Sequence, residues 1–205
     1  MDRETTPQLC LSADALRQWF NDILRSAAEQ HRLDLDEHTE AYVVDLLARF
    51  TERGALKTEQ DQDLLEQPLA IQVLRARSAE TTRRFQIMRQ VGDVSLYLTG
   101  FFGERVDAGV IDRSYYVDMG SGAYRQAAGA VAGGSDNPFR RLYEVLAARF
   151  VDLMLVLNEV SERCFRADTD VLRLYDRYLA TGSERLAARL AQMGVAVGTG
   201  PRLVR

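Results

Sequence analysis

The residues whose types and spacing could do chemistry lie between Val91 and Ala128, where Asp93, Tyr97, Phe101, Phe102, Asp112, Tyr115, Tyr116, Asp118 and Tyr124 are set among glycines. A carboxylate and several phenols beside open backbone can recognise a flat ligand, with the hydroxyls donating at its edge. On a helix through this region Tyr116, Gly120, Ala123, Tyr124 and Ala127 share one side. Each glycine inside a helix costs about 1 kcal/mol against alanine, so something should approach that side closely. Two partners meet the requirement. One is another helix; the other is a ligand held by Tyr97, Tyr116, Gly120, Tyr124 and Asp93. Helix packing is the simpler of the two.

Other chemistry finds little support. A carboxylate-bridged dimetal site needs Glu-x-x-His on two helices, but Ala28 and Leu35 stand three residues before His31 and His38. In the acidic run Asp34, Asp36, Glu37 and Glu40, Thr39 and Asp45 occupy the places where a calcium loop requires glycine and glutamate. Helix capping accounts for that run better. No phosphate-loop motif occurs, and Gly120-Ser121-Gly122 has neither a preceding strand nor the third glycine of a dinucleotide fingerprint. Ser121 also lacks the Gly-x-Ser-x-Gly spacing of a hydrolase elbow. The sequence nominates no catalytic residue, no metal ligand and no cofactor. Arg75, Arg77, Arg83, Arg84 and Arg89 do not align on one face and read as a solvated helix surface.

Composition narrows the class further. The chain has 205 residues, 46% of them apolar and 27% charged, with four prolines, as expected of one ordinary globular domain. A net charge of −4 offers no overall positive field for phosphates, so nucleic acid is not the expected partner. Lys57 is the single lysine, a bacterial-like bias of the kind a GC-rich coding sequence produces. The first eleven residues have no apolar core of a secretory signal, and two cysteines, Cys10 and Cys164, suit a reducing compartment. A cytoplasmic protein is expected.

The positioning elements follow from periodicity. Residues 12–54 read as an antiparallel helical hairpin, with Ser12 capping the first helix, Asp34 or Asp36 the second, and Gly54 as the stop. Thr58 caps a short polar helix through Glu66. One long helix from Leu69 to Phe101, kinked at Gly92, leads through a glycine-rich connection to a helix from Arg113 to about Ala132 capped by Asp112. From Asn137 to Phe165, Phe139, Leu142, Tyr143, Leu146, Phe150, Leu153, Met154, Leu157, Val160 and Cys164 form an apolar stripe about seven turns long. With Val151, Leu155 and Val156 on its flanks, that helix reads as the central strut, yet its unbroken apolar block is far short of the roughly 20 residues of a membrane span. Asp168 or Thr169 caps a further helix, and a short one ends near Met193.

The expectation is a single-domain all-α bundle of seven to eight helices, residues 12–193, around a central helix at about 137–165. Residues 1–11 are an N-terminal segment and 194–205 a tail, both expected to be flexible. With no catalytic constellation, the expected role is non-catalytic: a helical protein that contacts another protein or assembles with itself, for instance as a homodimer. The alternative is a small-molecule or enzymatic pocket between the helix at 112–132 and its neighbours. No named family is recognisable in the residues.

Overall fold

The computed structural model describes residues 13–51, 68–134, 136–181 and 183–192. Among them are α1 (Ala13–Gln30), α2 (Glu37–Thr51), α3 (Leu69–Arg77), α4 (Thr81–Phe101), α5 (Gly103–Asp107), α6 (Arg113–Ala130), α7 (Pro138–Ala148), α8 (Phe150–Thr181) and α9 (Glu184–Gln192), and no strand. This is an all-α helical bundle. The polar helix expected at 58–66, the Ser12 cap, the Gly54 stop and both terminal segments lie outside the described residues. No helix among those described is long and apolar enough to cross a membrane.

The chain divides into two compact units. One is Arg17–Glu162; the other joins Met1–Leu16 with Arg163–Arg205. In the second, α9 buries Leu190 and the last part of α8 buries Cys164. Helices α2 to α7 belong wholly to the first unit, together with most of α1 and the first part of α8.

Two ion pairs, Arg17 with Asp45 at 3.5 Å and Arg25 with Glu40, show α1 and α2 running antiparallel. The chain leaves α1 through paired hydrogen bonds, Leu33 N–H to the Ala28 carbonyl at 2.9 Å and Arg32 N–H to the Glu29 carbonyl at 3.0 Å. That arrangement needs a left-handed residue, which glycine normally supplies; here it is Arg32, at φ 53°. Asp36, rather than Asp34, caps α2 by accepting from the backbone of His38 and Thr39, both at 3.1 Å.

The helix expected over Leu69–Phe101 is two helices. Arg84 reaches back to the end of α3, donating to the carbonyls of Ala76, Arg77 and Ala79 at 3.1 to 3.3 Å. Carbonyls that would otherwise continue the helix are thereby taken by a side chain. Arg84 is thus structural rather than one more solvated arginine. No break occurs at Gly92, whose bare α-carbon serves packing instead.

The run expected as one helix from Asn137 is interrupted only at Arg149, which lies between α7 and α8. The i→i−4 bonds Arg149 N–H to Val145 and Leu153 N–H to Arg149, both 2.9 Å, carry the ladder across. Its stripe is buried as expected at Leu146, Phe150, Leu153, Leu157 and Val160, but Phe139, expected on the stripe, stands 68% exposed in the first turn of α7, and Val151 and Leu155 on the flanks are exposed too. Covering on every side is found in the middle of α4, where all residues from Val91 to Tyr97 are buried, while its first turn is exposed. Nor does α8 stop near Asp168: with neither glycine nor proline between Phe165 and Val171, it continues to Thr181.

Candidate functional site

At the middle of α4 a carboxylate is buried. Asp93 is 2% exposed, and its oxygens accept from three side chains. The Tyr42 hydroxyl donates to Oδ1 at 2.6 Å and the Tyr124 hydroxyl to the same oxygen at 2.9 Å, while Arg49 donates to Oδ2 at 3.3 Å. Arg89, one turn before Asp93 on the same helix, adds positive charge. Tyr143 of α7 meets Tyr42 edge-on at 5.7 Å, and Phe85 meets Tyr143 in the same way at 5.3 Å. Three helices, α2, α4 and α6, are therefore joined through one carboxyl group.

Glycines make room for this centre. A Cβ on Gly92 would lie 2.5 Å from two ring carbons of Tyr124, so the missing side chain lets that ring lie flat against α4 and aim its hydroxyl at Asp93. Gly120 does the reciprocal service on α6: its Cβ would meet the Phe150 ring at 2.5 Å and the Ser95 Cβ at 2.6 Å. Gly100 accommodates Leu157 of α8 in the same manner at 2.6 Å. Close helix approach through small residues is the physical return for their poor helix propensity.

Electrostatics follows from burial. Desolvation pushes the Asp93 carboxyl above the ordinary carboxylate range, against the opposing pull of Arg49, Tyr42, Arg89 and Tyr124. Burial and the adjacent carboxylate push the hydroxyls of Tyr42 and Tyr124 well up, and burial raises Tyr143 too. For Arg49 burial acts downward, but the charge of Asp93 outweighs it and the guanidinium holds its proton more firmly. Phenols shifted in this direction remain hydrogen-bond donors and cannot act as bases or nucleophiles near neutral pH. The lone pairs of Asp93 are engaged by internal donors, so the arrangement is suited to fixing the register of three helices.

Of the residues expected at a ligand site, the structure brings together Asp93 and Tyr124, with Gly120 close by through Ser95 and Phe150. Tyr97 belongs to a different cluster, stacked on Phe50 at 4.5 Å and on Phe101 at 5.4 Å. Tyr116 is half-buried against Tyr115 at 5.3 Å, and the Tyr115 hydroxyl accepts from the Ala70 amide at the start of α3. The side of α6 on which a flat ligand was expected carries the Phe150 ring over Gly120. Sequence reasoning missed Tyr42, Arg49, Arg89 and Tyr143 as members of the centre. One signal was available: Arg89 and Asp93 are an i,i+4 pair of opposite charge on a helix with few other acids. Comparison of the chain with family models, with curated proteins and with solved structures gives no match.

Proposed function

We propose that this chain is a non-catalytic helical protein that works by contact with another protein or with a second copy of itself. The observation that carries the reading is the outer face of α8. Val151 and Leu155, one turn apart, are 48% and 42% exposed on the same helix whose opposite side, Leu153, Val156 and Leu157, is fully buried. Apolar side chains repeated at helical spacing on a solvent face are the form that a helix-to-helix contact takes. The rival reading, a ligand on the glycine side of α6, has less support, because Phe150 and Ser95 fill that side and Asp93 is engaged by internal donors.

A photo-crosslinking residue at position 151 tests this, with position 126 on the exposed side of α6 as the control. Illumination in cells should give a discrete protein adduct from 151 and none from 126. Equal adduct patterns from both positions, with light scattering showing a monomer, would remove the reading.

A further inference from the structure

Beside this face lies a groove of about 420 Å³ between the α1–α2 turn and the α7–α8 junction, lined by His31, Arg32, Leu33, Arg149, Asp152 and Leu155 among others. We infer that it docks an acidic segment of a partner protein that carries a large aliphatic or aromatic side chain. The inference rests on the interaction reading above and adds the location and chemistry of the partner.

Three features of the groove point the same way. Its lining carries two guanidiniums, Arg32 and Arg149, against a single carboxylate, Asp152, so it attracts negative charge although the whole chain is net negative. Its lining also includes the apolar side chains Leu33 and Leu155, and exposed apolar surface continues one turn along α8 to Val151, which an inorganic anion or a bare phosphate would leave unused. The third feature is Arg32 itself. At φ 53° it holds the left-handed position that closes α1, where a side chain costs roughly 1 kcal/mol and glycine costs nothing. Its guanidinium makes no hydrogen bond or ion pair with any described residue. A positive charge thus stands at a position whose backbone conformation glycine adopts without strain. Arg149, by contrast, is oriented at the wall by donating to the Asp34 carbonyl at 3.2 Å, which leaves most of its five donors for a carboxylate.

The position of Arg32 supplies a discriminating variant. Arg32→Gly retains the backbone conformation and removes the charge, so it should melt no lower than the parent while binding is lost. Random twelve-residue peptides displayed on phage are selected on the immobilised full-length chain, and the enriched peptides are then measured by fluorescence anisotropy. The expected peptides carry Asp or Glu beside Leu, Ile or Phe, bind at least tenfold more weakly to Arg32→Gly and to Leu155→Ser, and bind unchanged to Arg125→Glu on α6. Their affinity should fall as salt rises. Enriched peptides that are neutral or basic, or that bind Arg32→Gly as well as the parent, would overturn the groove assignment while leaving the interaction reading standing. A dimer of the parent that Arg32→Gly dissociates would replace the partner segment with a second copy. Failure to enrich any peptide, together with no adduct from position 151, would end both.

Discussion

The Tyr124 hydroxyl donates to Oδ1 of Asp93 at 2.9 Å from a ring that occupies the space a side chain at residue 92 would need. Geometry and chemistry are coupled here: Gly92 sets the ring's place, and the ring's place satisfies the carboxylate. Tyr124→Phe retains the ring and deletes one donor to a buried acceptor, which should cost about 1 to 3 kcal/mol. Urea denaturation should show a lower midpoint at an unchanged slope. An unchanged midpoint would mean that Tyr42 and Arg49 alone satisfy Asp93.

The pH dependence of stability has a definite sign. Burial raises the folded-state pKa of Asp93 above the ordinary 3.8, so the carboxyl binds its proton more firmly folded than unfolded. Its contribution is fully present below the unfolded value and is lost as pH rises toward and through the folded one, with a limiting slope of about 1.4 kcal/mol for each pH step of one. Relative to Asp93→Asn, the parent should therefore lose stability as pH rises above about 4. Carboxyl carbon NMR of Asp93, alongside denaturation of both proteins across this range, reads the effect directly. A difference that grows with pH would show that the Arg49 charge outweighs burial.

Gly120 and Gly122 lie two residues apart on α6 and should respond oppositely to alanine. At Gly120 the new Cβ meets Phe150 and Ser95 well inside van der Waals distance, and overpacking of roughly 1 to 3 kcal/mol exceeds the propensity gain of about 1 kcal/mol. At Gly122 nothing lies within 4 Å, so alanine should stabilise by up to about 1 kcal/mol. Thermal melts of the two variants suffice, and stabilisation by both would make the α4–α6 contact looser than described.

Leu153 and Leu155 make a second contrasting pair. Leu153→Asp buries a charge with no partner in a fully covered position and should abolish soluble expression. Leu155→Asp places the same charge on a face already 42% exposed and should leave the protein folded, with a stability change of about 0.5 kcal/mol or less. Soluble, unchanged Leu153→Asp protein would contradict the assignment of the core.

Signals acting over one or two turns were legible from the residues by themselves. The cap at Asp112, the buried stripe from Leu146 to Val160 and the close-approach character of Gly120 all follow from spacing and propensity, because each depends on atoms a few residues away. What lies against a given face was not legible. Tyr42 and Arg49 reach Asp93 from 51 and 44 residues away, and no local pattern encodes a hydrogen bond across two helices. The same limit hid the end of α3. Its residues continue a helical pattern, and the return of Arg84 onto the carbonyls of Ala76, Arg77 and Ala79, beside the local bonds of Ser78 and Ala79, closes the turn. Local free energies determined where this chain is helical; tertiary packing decided which helices break, which glycine receives which ring, and that the carboxylate at the centre is held by tyrosines and arginines contributed by separate helices.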